Sequence, residues 1–314
     1  MEVNVGFPSF MVDSTPESLL ALLERGGYVA DRALATSVHL ALSLSRPLLL
    51  EGRVGVGKTA LARTLATGLG RRLLALHCHE GLDLAHAVYE WNVPAQLLEL
   101  RLLQADKSKG QAAEAPDLFD PRYLIRRPLL EALSPDPAGP PVLLIDEVDR
   151  ADPAFEAYLL EFLTDFAISV PETGTIAAAQ PPIVIITSNR TRPVSDALKR
   201  RCLYHFIPDP DAATERRIVE ARAPGATERL SHMVVEAVKR VQRTENAALG
   251  DVAEAMAWTN TLFHIDKTEL DPERVSAILN LIMKYQDEML HAEGSEIGQV
   301  VKRIRAEVDA LENV

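Results

Sequence analysis

The first feature of this sequence that could do chemistry is a glycine-rich stretch followed by a lysine and a threonine. Gly52–Thr59 fits the phosphate-binding pattern G-x-x-x-x-G-K-[ST]. Glycine residues let backbone N–H groups approach anionic oxygens, because no Cβ stands in the way. The helix expected from Ala60 onward would point its positive end at the same oxygens. The stretch therefore predicts a site for a nucleoside triphosphate.

The side chains of this stretch suggest individual roles. Lys58 is predicted to reach the β- and γ-phosphates of ATP, and Thr59 to ligate Mg²⁺. The alternative is an ordinary glycine turn before a helix. The apolar run Pro47–Leu50 before the loop and a glycine-terminated helix after it favour phosphate binding. The predicted nucleotide contacts are Gly52, Val54, Gly55, Val56, Gly57, Lys58, Thr59 and Ala60.

Two consecutive acidic residues form a second candidate group. The apolar run Val142–Ile145 predicts a buried strand, and Asp146 and Glu147 follow it directly. Open α/β sheets bind ligands outside the carboxyl ends of their strands. Asp146 is therefore predicted to hold Mg²⁺, and Glu147 to act as general base or to orient the attacking water. A solvated acidic turn is the alternative, which the phosphate-binding pattern in the same chain disfavours.

Polar residues also end the next predicted strand, which begins at Ile183. Asn189 stands at that end and could hydrogen-bond the attacking water or the γ-phosphate. Further on, Arg200 and Arg201 close a short predicted helix. They are either a solvated helix end or an arginine finger, which would serve the phosphates of a neighbouring subunit.

An aromatic residue lies in a turn upstream of the first strand. Tyr28 and Val29 follow two glycines in this turn, and such a turn is well placed to form the wall of an adenine pocket. The alternative is that Tyr28 belongs to the core, where aromatic residues are commonly found.

The elements that must position these residues alternate between apolar strands and helices, as in an α/β sheet. Capping signals predict helices at Pro16 and at Arg32, and apolar spacing predicts helices over 121–133 and 153–167. A β-hairpin is predicted to turn at Thr173 and Gly174. We expect residues 1–208 to form a nucleotide-binding α/β domain with a helical preface, and residues 209–314 to form a helical domain.

Composition excludes several classes of protein. The net charge of −12 over 314 residues argues against a general nucleic-acid or membrane-surface binder. No run of apolar residues is long enough for a transmembrane segment, and the N-terminus does not resemble a signal peptide. Two cysteines, Cys78 and Cys202, fit a reducing cytoplasm. His77, Cys78 and His79 suggest a metal site, but alternation along a strand would point Cys78 away from both histidines.

Taken in chain order, these motifs and the helical segment after them resemble an AAA+ ATPase. That resemblance implies a three-layer core around a parallel sheet, with a C-terminal all-α lid. Several stretches of the sequence are similar to the MoxR branch of this family, and within it to the subgroup encoded with von Willebrand A-domain proteins. The stretches that carry this likeness are Glu80–Asp83, Tyr89–Asn92, Asp146–Ala151 and Leu198–Tyr204.

The resemblance implies roles for particular residues. Lys58 and Thr59 match the Walker A pair, Asp146 and Glu147 match Walker B, and Asn189 matches sensor 1. Arg201 stands where the family's finger arginine falls, with Arg200 as the close second. The sequence departs from the family at 250–254, where many MoxR proteins carry a sensor-2 arginine and this chain has none.

The resemblance also implies a biological setting. It suggests an ATP- and Mg²⁺-dependent hexameric ring with a von Willebrand A-domain partner. The client would be a metalloenzyme in need of maturation, such as a molybdenum hydroxylase of the carbon monoxide dehydrogenase type. A nucleotide-gated protein-binding scaffold with incidental hydrolysis is the alternative. A DNA-acting motor is disfavoured by the negative charge and by the lack of a DNA-binding motif.

Overall fold

The structure, a computed structural model, describes residues 15–107 and 117–222. The strands are Leu48–Glu51 (β1), Leu73–His77 (β2), Tyr89–Trp91 (β3), Leu124–Arg126 (β4), Val142–Asp146 (β5), Ala167–Val170 (β6), Gly174–Ala177 (β7), Ile183–Ser188 (β8) and Leu203–Phe206 (β9). The helices are Pro16–Arg25 (α1), Arg32–Ser43 (α2), Lys58–Gly68 (α3), Leu84–Ala87 (α4), Val93–Lys107 (α5), Pro128–Glu131 (α6), Pro153–Asp165 (α7), Asp196–Arg201 (α8) and Ala212–Arg222 (α9). Within these two described ranges, no helix combines the length and apolarity needed to cross a membrane.

A five-stranded parallel sheet with the order β2-β5-β8-β1-β9 forms the centre of the fold. The carboxyl ends of parallel strands meet at one edge of a sheet, so β1, β5 and β8 deliver the residues that follow them to the same place. In the register, Glu51 of β1 pairs with Ser188 of β8, and Ile145 of β5 pairs with Ile186 of β8. The predicted fold class, an α/β protein around a parallel sheet, is confirmed.

Burial on both faces explains why β1 and β5 consist almost entirely of apolar residues. Every residue of β1 and of β5 is buried, which is usual for strands covered by helices on both faces. The core continues into α7, where Phe155, Leu159 and Phe162 are buried at helical spacing. The helix predicted over 153–167 is confirmed and ends at Asp165.

The two N-terminal helices begin at the predicted signals. Thr15 caps α1 by accepting a hydrogen bond from the Ser18 N–H, and Pro16 occupies the first turn. Asp31 caps α2 through a 2.7 Å bond from the Leu34 N–H to its carboxylate. Both starts use a side-chain oxygen to satisfy a backbone donor that has no partner inside the helix.

The helix predicted over 121–133 is wrong. A short 3₁₀ turn at Pro121–Tyr123 leads into β4, which pairs antiparallel with β3, and α6 begins only at Pro128. Arg127 has extended backbone angles, because the residue before a proline avoids the helical region. Leucines at helical spacing in this segment are therefore shared between a strand and a separate helix.

The predicted hairpin is confirmed over β6 and β7, which pair antiparallel from Ala167 with Ala177 to Val170 with Gly174. Gly174 has φ of +90°, a conformation that glycine adopts without steric penalty.

The described residues form two compact units. One comprises residues 15–26, 30–53, 58–107 and 117–207, and the other comprises residues 27–29, 54–57 and 208–222. The second unit contains α9, where the helical domain was predicted to begin. The remainder of the predicted lid, including the sensor-2 position at 250–254, lies outside the described residues.

Candidate active site

The loop between β1 and α3 has the backbone that its glycines permit. Gly55 and Gly57 have φ of +86° and +97°, a region that side chains with a Cβ rarely adopt. A Cβ added to Gly57 would also meet the Tyr28 ring at 3.4 Å. Val54, between Gly52 and Gly55, is largely exposed.

Lys58 is buried at the first position of α3. Its ammonium donates hydrogen bonds to the backbone carbonyls of Gly52 at 2.8 Å and Arg53 at 2.6 Å. Burial lowers the pKa of Lys58, while the charges of Asp146, Asp149 and Glu147 act to raise it. The nearby carboxylates favour the charged form of Lys58, and a charged ammonium suits the binding of a phosphate.

Thr59 and Asp146 lie in direct contact. The Thr59 hydroxyl is 3.0 Å from one carboxylate oxygen of Asp146 and 3.2 Å from the other. Asp146 is buried at the end of β5, where the Thr187 hydroxyl of β8 donates to it at 2.6 Å. A hydroxyl and a carboxylate side by side are hard oxygen donors, the chemistry that Mg²⁺ prefers. The two residues predicted to hold the metal therefore fit it.

Glu147 is held by its backbone and by both carboxylate oxygens. It is a non-glycine residue in the left-handed region, at φ 57° and ψ 48°, a conformation that costs free energy and often marks a functional site. Its N–H donates to the Thr187 hydroxyl at 2.9 Å. The Asn189 amide donates to one carboxylate oxygen, and Arg150 donates to the other, each at 3.0 Å. The structure thus brings the predicted base and the predicted sensor residue into contact.

Asp149 fastens the loop after β8 to the loop after β5. It is buried and accepts hydrogen bonds from the Asn189 N–H, the Thr191 N–H and the Thr191 hydroxyl, at 3.1, 2.8 and 2.6 Å. Burial acts to raise the pKa of Asp149, but these hydrogen bonds outweigh burial and the pKa is lowered. The carboxylate is thereby kept charged, and it fixes Asn189 beside Glu147.

His77 and Cys78, two of the residues that suggested a metal site, differ in their exposure to solvent. His77 ends β2 with its Nδ1 at 3.3 Å from Asp146, and its side chain is largely exposed. Cys78 is buried, and burial, together with the neighbouring acidic charges, raises the pKa of its thiol to about 12. The thiol therefore stays protonated, whereas a metal ligand would be a thiolate.

Arg200 and Arg201 are exposed in the last turn of α8. Arg46 donates to their backbone carbonyls, and the Arg201 guanidinium donates to the Thr164 hydroxyl of α7. The structure thus places Arg201 against α7, not against Asp146 or Glu147 of its own chain.

Tyr28 and Val29 differ in their exposure. Tyr28 is buried and its ring lies beside Gly57, whereas Val29 is half-buried. Ala60 is half-buried in α3. The adenine-wall assignment for Tyr28 and Val29 stays a prediction.

Sequence reasoning missed three supporting residues, namely Thr187, Asp149 and Arg150. Each is polar and follows or ends a run of apolar residues, and that position is the only signal the sequence carries. The roles of Thr187 and Asp149 depend on the side-by-side placement of β5 and β8, which is a property of the sheet, whereas Arg150 contacts Glu147 within the same loop.

Comparison with known proteins bears on the same region. Residues 47–202 match the family model of the AAA domain, dynein-related subfamily. A protein of Staphylococcus saprophyticus is 23% identical over 275 residues, which is 80% of this chain and 95% of the relative. A protein of Staphylococcus epidermidis is 24% identical over 276 residues, which is 81% of this chain and 95% of the relative. Both relatives are described as uncharacterised. A crystal structure of a protein from Cytophaga hutchinsonii aligns over 87% of this chain and 71% of the other chain, with 15% sequence identity. The TM-score is 0.43, and this likeness is too slight to support an argument.

Proposed function

We propose that this chain, which carries an AAA domain over residues 47–202, is an Mg²⁺-dependent ATPase that remodels a protein client. The AAA domain supports ATPase activity and implies nucleotide binding. The observation that carries the proposal is the meeting of Lys58, Thr59, Asp146, Glu147 and Asn189 at one edge of the sheet.

In the proposed reaction, ATP and water give ADP and phosphate. The loop at Gly52–Thr59 and the Lys58 ammonium bind the phosphates. Thr59 and Asp146 would hold Mg²⁺, which would supply positive charge to the phosphate oxygens. Glu147 accepts the proton of the attacking water, and Asn189 orients Glu147 through their hydrogen bond.

The arginine at the end of α8 suggests that a neighbouring subunit completes the site. Arg201 is exposed and lies against Thr164, so within its own chain it is engaged on α7. An arginine presented in this way can reach the phosphates bound by the next subunit, and a head-to-tail contact of that kind can close into a ring. By resemblance, we propose a hexamer.

The partner and client are proposed from resemblance to the MoxR branch. The partner would be a von Willebrand A-domain protein and the client a metalloenzyme, of which a molybdenum hydroxylase is the specific candidate. Residues 93–98 and 119–125 are the proposed contact region, because they expose large apolar side chains, namely Val93, Leu97, Leu98, Phe119 and Ile125.

A nucleotide-gated scaffold is the second candidate. Arg150 and Asn189 together engage both carboxylate oxygens of Glu147. A base held by two partners favours slow turnover, in which nucleotide binding rather than hydrolysis would set the shape of the protein.

The substitution Glu147→Gln separates the two candidates. We expect it to keep ATP binding and to lower steady-state phosphate release by roughly 10²-fold or more, because a general base contributes that much. Glu172→Gln in the exposed turn of the hairpin is the matched control and should leave the rate unchanged. Undiminished hydrolysis by Glu147→Gln would overturn the assignment of the base. A wild-type protein that binds ATP but releases no phosphate, with or without a partner, would favour the scaffold.

A further inference from the structure

A buried carboxylate outside the catalytic group connects three functional elements. Glu51 is the last residue of β1 and directly precedes the phosphate-binding loop, and only 5% of its surface is exposed. We infer that Glu51 is a positioning residue that aligns α8, and with it the arginines at the end of that helix, with the phosphate-binding loop of the same chain. This inference rests on the proposed function, in which Arg201 serves a neighbouring subunit.

The side-chain partners of Glu51 come from β9, from α8 and from the loop after β8. The Tyr204 hydroxyl of β9 donates to its carboxylate at 3.0 Å. The Lys199 ammonium of α8 and the Arg190 guanidinium each lie 3.9 Å from the carboxylate. Lys199 directly precedes the two arginines of α8, and Arg190 directly follows Asn189.

The backbone of Glu51 is fixed by the sheet. Its carbonyl accepts a 2.8 Å hydrogen bond from the Ile207 N–H, and it pairs with Ser188 of β8 and Phe206 of β9. The next residue, Gly52, donates its N–H to the Ser188 carbonyl at 3.3 Å. The carboxylate therefore projects from a rigid point at the start of the loop.

The negative charge of Glu51 is compensated by two neighbouring cations. A buried carboxylate is stable only when cations or donors compensate it. Here Lys199 and Arg190 supply two positive charges, and Arg190 also lies over the Phe206 ring, 5.6 Å from its centroid. Removing the negative charge of Glu51 removes the group that attracts both Lys199 and Arg190, so α8 loses this contact with the end of β1.

A purely structural role for Glu51 makes a different prediction from a positioning role. If Glu51 only stabilised its own phosphate-binding loop, its loss would damage the site of its own subunit. If Glu51 aligns α8, its loss damages the site of the neighbour, while its own site stays competent.

The test uses Glu51→Gln, which keeps the shape and the acceptor for Tyr204 but removes the charge. In the full-length protein we expect ATP binding within about twofold of wild type, an unchanged KM and a kcat lowered by about tenfold or more. Adding Glu51→Gln to Arg201→Ala should lower kcat no further, because both act through the same arginine. Glu131→Gln is the matched control, since its carboxylate also binds an arginine, Arg72, at 2.7 Å, and its rate should match wild type.

Mixing subunits decides between the two roles. Glu51→Gln subunits mixed with Lys58→Ala subunits should recover part of the ATPase rate, because each Glu51→Gln site then receives an intact arginine from its neighbour. No recovery in this mixture, while Arg201→Ala mixed with Lys58→Ala does recover, would overturn the role of Glu51 and leave the proposed function standing. No recovery in either mixture would overturn the trans arginine itself, and the inference about Glu51 with it.

If Glu51→Gln fails to fold, a second variant tests the same contact. Lys199→Gln removes the other half of the contact from a partly exposed position, and we expect the same recovery on mixing with Lys58→Ala. A wild-type kcat for Lys199→Gln in that case would overturn the inference.

Discussion

One hydroxyl organises the acidic edge of the site. Thr187 donates to the Asp146 carboxylate and accepts from the Glu147 N–H, so a single side chain sets the position of the predicted metal ligand and of the predicted base. A hydroxyl can do both because it carries a donor and two acceptor lone pairs. The contact also helps to hold Glu147 in its left-handed conformation.

The charge state of Asp149 should make stability depend on pH. Its pKa is lowered in the folded protein, so the stability it contributes is present above its unfolded pKa, about 3.9, and is lost as the pH falls through the folded pKa. Thr191→Val removes one hydrogen bond to this carboxylate, and we expect it to cost about 1.5–3 kcal/mol of the free energy of unfolding at neutral pH.

Urea unfolding at about pH 7 and at a lower pH, below the folded pKa of Asp149, checks this expectation. The cost of Thr191→Val should shrink at the lower pH, where Asp149 becomes protonated and the bond no longer involves a charge. Thr175→Val, which removes an exposed hydroxyl contact with Ser169 in the hairpin, is the matched control. An equal cost for Thr191→Val at both pH values would show that the charge of Asp149 is not involved.

At the scale of elements, strand order converts separate motifs into one site. The strands β1, β5 and β8, whose ends carry the functional residues, are consecutive in the sheet, although β2, β3 and β4 lie between β1 and β5 in the chain. The motifs alone predicted Lys58, Thr59, Asp146 and Glu147. The neighbours Thr187 and Asp149 could not be predicted, because several orders of parallel strands would bury the same apolar runs equally well.

The segment from 121 to 133 shows where periodicity fails. Leu124, Ile125 and Leu129 have helical spacing, but β4 pairs with β3, which lies on the other side of α5 in the chain. Local spacing carries no information about such a pairing. Pro128 was the available signal, since it disfavours a helix through the residue before it.

The start of α8 should matter for turnover as well as stability. Ser195 caps α8 by accepting from the Leu198 N–H at 3.3 Å. We expect Ser195→Ala to cost about 0.5–2 kcal/mol of stability and to lower kcat, because α8 ends in Arg200 and Arg201.

Thr15→Ala, at the cap of α1, is the comparison for this prediction. It should cost a similar free energy of unfolding and leave kcat unchanged. Thermal or urea unfolding and phosphate release measure the two effects separately. If both caps altered kcat equally, turnover would simply follow stability, and α8 would have no special part in it.

For the whole molecule, the main question is whether catalysis is shared between subunits. If Arg201 acts as an arginine finger, Arg201→Ala should abolish most ATPase activity and leave assembly intact, with a loss of about 10³-fold or more. Mixing with Lys58→Ala subunits should restore part of the rate, since each variant lacks a different half of the site.

Size-exclusion chromatography must accompany that mixing experiment, so that loss of assembly is not mistaken for loss of the arginine. A rate that remains at the level of the separate variants, in mixed assemblies of normal size, would argue against a shared site. The residues of one chain do not by themselves identify what binds to them, so the sequence could suggest the assembly and the client only through resemblance.

The two native thiols have a practical consequence for studying such an assembly. Cys78 and Cys202 are the only cysteines in the sequence, both are buried, and burial raises the pKa of each to about 12. Maleimide dyes react with exposed thiolates, so the unmodified chain should stay unlabelled. A single cysteine introduced at exposed Glu172 would then carry the sole fluorophore, and movements of the hairpin during turnover could be followed without first removing either native residue.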